Sequence, residues 1–533
     1  MTISKLKSKF LLLMLLVVFI YSLSFFSNKV SEDDLMLEGE VLAEQYCSGC
    51  HLLVSPDILP KRSWESVLGY MGYWLGIEDI SYLDDHPEFA QINVAAREEI
   101  LRREGVFPNQ PLLSNEDWEL LRSFFVSKAP EHPLEQSSKP KLTWSLPIFD
   151  VEQVNYSPSL AVTTLVSINE TEKSIYIGDG FDATLTVLDD SGAVLTGPHI
   201  AEKPIYPVDI HFENGMTYIA SIGDLTATQA SKTGPAHIAK VNMKEDIFPE
   251  SFEIVVDDLY RMADMNVVDL NGDSISDFIV SGFGAVFGNL SWFESRQDGE
   301  FEEHMLLALP GVVKSEIFDF NNDGLLDIIV LVSDAREGLH ILENQGSNQF
   351  RLNTIFESHP AYGHTFFELA DFNEDGRMDI LVVNGDNVDS DPYNTNKNYH
   401  GLRIYINYDN YIFKEEMFYP MYGAFVAKVA DFDNDNDLDI VASSFYPDFS
   451  SEERESFVYL ENLGNLSFSP YTNYEVMQGR WMTMDVGDID GDLDIDVVLG
   501  GGYIPVGMFA NMELYEEMVK NSPQILILRN NLN

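Results

Sequence analysis

The chain predicts a multidomain protein, a small all-α domain followed by an all-β seven-bladed propeller. Three observations carry that expectation. At 533 residues the chain exceeds what one hydrophobic core usually organises. Near residue 130 the apolar spacing changes from helical intervals to short runs rich in Ile, Val, Phe and Tyr. In the second part an Asp-rich nine-residue pattern recurs five times, at intervals of 50 to 60 residues.

The composition, 45% hydrophobic and 12% aromatic, is that of a folded chain. Against 32 Lys+Arg stand 87 Asp+Glu, a net charge of −55. A field of that sign argues against nucleic acid or anionic lipid as main partner and suits cations.

The first element is an export segment over 1–28. Lys5, Lys7 and Lys9 precede an almost wholly apolar run from Phe10 to Phe26, with no small-x-small cleavage site after it. It reads as a signal peptide or, more readily, an uncleaved anchor in the inner membrane, with the rest exported to periplasm or cell surface.

The second element, 33–130, holds both cysteines of the chain in one run, Cys47-Ser48-Gly49-Cys50-His51. A redox dithiol would want a βαβ setting and zinc a second ligand pair, and the sequence offers neither. The spacing suits two thioether bonds to one haem, with His51 as axial iron ligand. Gly39 to Tyr46 has helical spacing, and Ser114 to Lys128 opens on a Ser-x-x-Asp cap and carries Trp118, Leu121, Phe124 and Phe125. An N-terminal helix with a glycine crossing a C-terminal aromatic helix resembles the cytochrome c fold over about 33–130. The stretch from Leu59 through Trp64 to Met71-Gly72 resembles single-haem cytochromes attached to repeat proteins of Bacteroidota-like bacteria. That resemblance implies Met71 as second axial ligand. On the residues alone Met71 also fits an apolar helix face with Trp64, Val67, Leu68 and Leu75, and His86, His132 or an open position remain alternatives.

The third element, 131–157, reads as a linker, with Pro133, Pro140 and Pro147 around Ser137-Ser138-Lys139. The fourth, 158–533, is the propeller. Its repeated loops contribute Asp269, Asn271, Asp273 and Asp277; Asp319, Asn321, Asp323 and Asp327; Asp371, Asn373, Asp375 and Asp379; Asp431, Asp433, Asp435 and Asp439; and Asp488, Asp490, Asp492 and Asp496. Oxygens at positions one, three, five and nine of a tight loop, with the carbonyl of position seven, converge on one centre and suit Ca²⁺, up to five ions in all. Position six lacks glycine in three copies (Ser274, Asn436 and Leu493), and weaker binding is expected there. An EF-hand would need Glu at position twelve and flanking helices, whereas strands follow these loops. The repeats resemble the FG-GAP/VCBS family, found also in the integrin α-subunit head, which forms seven-bladed propellers. Residues 161–255 supply two further blades without the motif, and the last strands are expected to close the ring against the first blade.

Arg261, Lys314, His364 and Arg480 are expected to line a channel mouth, and the insertion 384–400, with Asp386, Asp389, Tyr399 and His400, is a further candidate. No GxSxG, HExxH, P-loop or Rossmann fingerprint occurs, so whether the protein is an enzyme stays open. The leading expectation is a haem c electron-transfer protein whose calcium-bound propeller docks a redox partner protein or extracellular polymer. The alternatives are a propeller dehydrogenase that passes substrate electrons to its haem, and an adhesion or carbohydrate-binding module.

Overall fold

The computed structural model describes residues 32–77, 102–103, 105–106, 108–156, 158–199, 204–223, 236–241, 252–284, 287–334, 336–387, 391 and 393–532. The segment 1–28, His86 and Asp389 lie outside them. Among the described residues no helix is long and apolar enough to cross a membrane.

Among the described residues three α-helices stand out in the N-terminal region: α1 (Glu32–Cys47), α2 (Lys61–Trp74) and α3 (Asn115–Lys128). Gly39 lets α1 cross α3 at backbone contact, for a Cβ there would lie 2.6 Å from the Leu120 carbonyl oxygen and 2.7 Å from the Phe124 Cβ. The Ser114 hydroxyl caps α3 by accepting the Asp117 N–H at 3.1 Å, which satisfies one of the orphan amides of its first turn. Trp118, Leu121, Phe124 and Phe125 turn inward from α3 onto Trp64 and Leu68 of α2. Trp64 stacks at a tilt on Phe125, ring centroids 4.4 Å apart, and its indole N–H donates to the Pro56 carbonyl at 2.7 Å.

Among the described residues seven sheets follow, each built on four antiparallel strands, over 163–199, 207–256, 262–307, 312–357, 364–420, 424–472 and 481–530, the last completed by a strand from outside its range. The first strands of neighbouring sheets touch one another, so they line the centre of the ring. Second strands such as Asp327–Val332 and Asp439–Ser444 are buried at every position. Each is covered on both faces by the adjacent blades, which is why these segments read as continuous apolar runs without alternation. Outer strands such as Phe301–Leu307 keep one face in water.

The ring closes differently from the expectation. Phe149–Gln153, placed in the linker 131–157 by its proline-rich surroundings, is the fourth strand of blade seven. It runs antiparallel to Ile525–Asn530, with Phe149 opposite Asn530 and Gln153 opposite Leu526. Thr143–Trp144 adds a fifth, parallel strand to blade six. An N-terminal strand thus completes the sheet that carries the last strand of the chain, and no open seam is left between the two ends.

Acidic side chains on the inner strands tie consecutive blades together. Asp209 accepts the Met265 N–H at 3.0 Å, Asp264 that of Ser315 at 2.9 Å, Glu368 that of Val429 at 3.1 Å and Asp485 that of Ile168 at 2.9 Å. The last of these joins blade seven to blade one. Lys428 lies 3.4 Å from Asp485 and 3.9 Å from Glu368, which offsets part of the charge these carboxylates bring to the centre.

Candidate functional sites on two faces

Cys47 ends α1, and the Cys50 N–H turns back toward the Cys47 carbonyl at 3.5 Å, so the helix closes on a turn that presents both sulfurs and His51. Both thiols are free, Cys47 half-buried and Cys50 exposed. Burial, then the neighbouring Cys50, pushes the Cys47 thiol up to about 11. A redox-active dithiol needs the opposite shift. The His51 Nδ1 lies 2.8 Å from the Leu52 carbonyl, a bond that places the proton on Nδ1 and leaves Nε2 as the lone-pair donor. Leu52 and Leu53, beside it, are 46% and 37% exposed, an apolar surface that water alone covers poorly. In the core of the helical region the buried Trp118 indole N–H has no hydrogen-bond partner. Met71 is half-buried on α2, and His132 is exposed.

On the propeller, the Asp-rich loops join the first to the second strand of blades three to seven. All five share one hydrogen-bond pattern. In 319–327, Asp319 accepts the N–H groups of Asp323 (3.1 Å) and Gly324 (2.9 Å), Asn321 accepts that of Asp323 (2.9 Å), and Asp323 accepts that of Leu325 (2.9 Å). Position nine has a second duty: Asp327 accepts the Phe320 N–H at 3.2 Å and the Asn344 N–H at 2.8 Å, pinning the loop to the third strand. Asp277, Asp379, Asp439 and Asp496 hold Ser295, Asn407, Asn462 and Asn530 in the same way. Position six is left-handed in every copy, with φ of +71° at Ser274, +87° at Gly324, +83° at Gly376, +73° at Asn436 and +77° at Leu493.

Three carboxylates converge within 4.8 Å in two loops, Asp431/Asp433/Asp435 and Asp488/Asp490/Asp492. The other three loops have an amide at position three (Asn271, Asn321, Asn373) and so one carboxylate fewer. Burial, then Asp435, raises the Asp433 carboxyl to about 6, and burial first of all raises Asp439 to about 7. Crowded carboxylates of this kind favour either protons or a cation.

The expected mouth residues lie at the opposite ends of the inner strands from the Asp-rich loops. Arg261 and Arg480 directly precede an inner strand and His364 begins one, whereas the Asp-rich loops follow the far ends of those strands. A seven-residue strand separates the two sets by about 20 Å. Arg480 is fully buried and donates to the carbonyls of Phe445, Ile504 and Val506 at 2.6, 2.6 and 2.5 Å, a structural clamp between blade six and the 504–506 segment. Lys314 is internal to its strand and pairs with Glu316 at 3.1 Å; burial pulls its ammonium down, but Glu316 and Asp264 outweigh it and hold the charge. The His364 Nδ1–H donates to Glu337 at 2.8 Å, and burial keeps the imidazole neutral, down to about 3.

The insertion of blade five was singled out for Asp386, Asp389, Tyr399 and His400. It belongs to a larger, mostly half-buried group that the sequence did not show as a unit. Tyr399 stacks on Tyr362 at 5.0 Å, His359 meets both rings edge-on at 5.3 and 5.4 Å, and His400 lies against Tyr399 at 5.5 Å. The insertion also touches the helical region. Ser63 of α2 and Thr395 share a buried hydroxyl hydrogen bond of 2.8 Å, and the Arg62 guanidinium lies 4.3 Å from the centre of the Tyr393 ring.

Comparison with known proteins bears on the propeller. The family model described as FG-GAP-like repeat matches residues 269–330 and 319–382, which contain the first three Asp-rich loops. No curated protein matches. Among solved structures the chain is similar to one holding Dbp5 of S. cerevisiae with Nup159, Gle1, IP6 and ADP, at 10% identity over 74% of this chain and 98% of that one, TM-score 0.39. A luciferin-regenerating enzyme gives 12% identity over 56% and 88%, TM-score 0.34. BBS1N in complex with ARL6DN gives 11% over 72% and 99%, TM-score 0.42. The chain carries FG-GAP-like repeats on a seven-bladed β-propeller, a platform that fits docking or binding.

Proposed function

We propose that the protein is an exported c-type cytochrome with one covalent haem at Cys47, Cys50 and His51, and that its propeller holds Ca²⁺ and docks a redox partner protein or an extracellular polymer. The observation that carries this reading is the Cys-x-x-Cys-His turn at the end of a helix that crosses an aromatic helix at Gly39. The residues present fit the group. Both thiols are unpaired, His51 has Nε2 free by virtue of its Nδ1 bond, Leu52 and Leu53 offer an apolar cover, and the buried Trp118 N–H is an unused donor. Haem bound there supplies a one-electron couple. The chain's own part is to fix the His51 ring, to shield one side with leucines and to hold the helical region on the propeller through Ser63, Thr395 and Arg62.

The Asp-rich loops are the proposed calcium sites, with positions one, three and five as primary oxygen donors and position nine as both strand latch and donor. Their preference for a hard cation follows from an all-oxygen donor set in a flexible loop.

Absorption spectra of protein matured in a haem-attaching periplasm test the reading. Sharp reduced bands that survive denaturation are expected from the wild type and are lost on Cys47→Ser/Cys50→Ser. A colourless wild-type protein would overturn the proposal and leave a calcium-loop propeller with a helical cap.

A further inference from the structure

We infer that the loop 488–496 of blade seven takes no calcium, because Arg529 of the last strand and Lys173 of blade one bring the positive charge that the ion supplies in the other four loops. This rests on the calcium reading above and divides it, four loops for the metal and one for the chain's own cations.

The strand register puts the five loops on one footing. Ile440 pairs with Leu460 in blade six and Val497 with Leu528 in blade seven, so Glu461 and Arg529, the next residues along, hold the same place on the third strand. By the same register that place is Glu294 in blade three, Glu343 in blade four and Ile406 in blade five. It is basic in blade seven alone. In two blades the side chain there is seen to reach position three of its own loop. Glu294 accepts the Asn271 side-chain amide at 3.0 Å, and the Arg529 Nη1 lies 4.0 Å from the Asp490 carboxylate.

The same Nη1 donates to Asp496, at position nine, over 3.0 Å. In blades four and six that carboxylate meets a neutral hydroxyl instead, Tyr411 on Asp327 at 3.1 Å and Tyr459 on Asp439 at 2.9 Å. The guanidinium is also held fast. Its side chain is 10% exposed, its Nε donates to Glu152 of the closing strand at 3.3 Å, and its Nη2 donates to the Asp190 carbonyl of blade one. Lys173 adds a second charge by donating to the Asp490 carbonyl, while Glu170 accepts the Asp488 N–H at 3.0 Å, so blade one grips the loop as well. Affinity for calcium in such loops follows the charge of the ligand set, and a fixed cation beside positions three and nine cancels part of that charge and repels a divalent ion. Arg529 is not cheaply displaced, because breaking the pair would leave a buried charge uncompensated. Arg377 of blade five also pairs with Asp375, but its side chain is 40% exposed and free to turn to water.

The test counts calcium on the full chain, stripped with chelator and titrated with calcium chloride in a calorimeter. The wild type is expected to take up four ions. Arg529→Gln is expected to take up five, Arg529→Lys four, and Arg529→Gln/Asp490→Asn four again, which places the gained site in this loop. Arg529→Gln should also melt below the wild type in chelator and gain more than the wild type from added calcium. Arg529 is buried, and should Arg529→Gln fail to fold, the wild-type count still decides. Five ions in the wild type, or a folded Arg529→Gln that gains none, overturns this inference and leaves the calcium reading standing. No calcium taken up by the wild type overturns that reading, and this inference with it.

Discussion

Leu493 holds a φ of +77° while its side chain is 82% exposed, so it accepts a strained backbone and gains no packing in return. A non-glycine residue in the left-handed region costs roughly 1–2 kcal/mol. Leu493→Gly is accordingly expected to raise the unfolding free energy by about 1 kcal/mol at unchanged denaturant m-value, and Ser274→Gly, at +71°, to act in the same direction. A loss of stability in both variants would show that position six stores no strain. Position nine behaves oppositely. Asp327 is fully buried and accepts two backbone N–H groups and the Tyr411 hydroxyl at 3.1 Å. Asp327→Ala should cost at least about 3 kcal/mol even without calcium, since it leaves buried donors unpaired. Asp323→Ala, which removes an exposed loop acceptor, should cost little in chelator and most of its effect should emerge with calcium. The loop pattern was legible in the sequence because five copies share its spacing. The latch at position nine was not, since its second partner lies on the third strand, 17 residues away in the case of Asn344.

Between elements, the ring depends on carboxylates that reach from one inner strand to the next. Asp209 also faces His211, at 3.6 Å, while the His211 Nε2–H donates to the Met265 carbonyl at 2.6 Å. Burial works against the imidazolium, but Asp209 outweighs it and lifts His211 to about 9. Its value in the folded protein therefore exceeds the ordinary 6.5, so the pair's contribution is complete below about pH 6.5 and is lost as pH rises through about 9. The expected result is a melting temperature that falls between those limits, with the fall reduced in His211→Gln; an identical pH profile for the variant would remove the pair from the account. Neither this tie nor the closing strand Phe149–Gln153 could be read locally. Phe149 and Val151 alternate with Asp150 and Glu152 as a half-buried strand should, yet prolines flank the segment and its partner lies at the other end of the chain. The helices were easier to place, because Ser114, Gly39 and the aromatic face of α3 are local signals with local consequences.

At the scale of the molecule the two proposed sites occupy opposite faces. The Asp-rich loops follow the inner strands, and the helical region sits over the loops at the other end, on the blade-five insertion. Chelation should therefore lower the melting temperature of the propeller and leave the spectrum of the proposed haem site unchanged until unfolding. Each site saturated at about 100 times its dissociation constant adds about 2.7 kcal/mol. A melting curve indifferent to chelator would refute calcium as a structural ligand. The count of seven blades was legible from five motif repeats and two unmarked units, and the place of the Cys-x-x-Cys-His run at a helix end was legible from its spacing. The contact between α2 and the blade-five insertion was not, because Ser63 and Thr395 lie 332 positions apart. The most direct test of the whole account is the intact mass of the denatured chain after maturation in a haem-attaching periplasm. The account predicts a mass raised by one haem in the wild type and by none in Cys47→Ser/Cys50→Ser; an unmodified wild-type mass would contradict it.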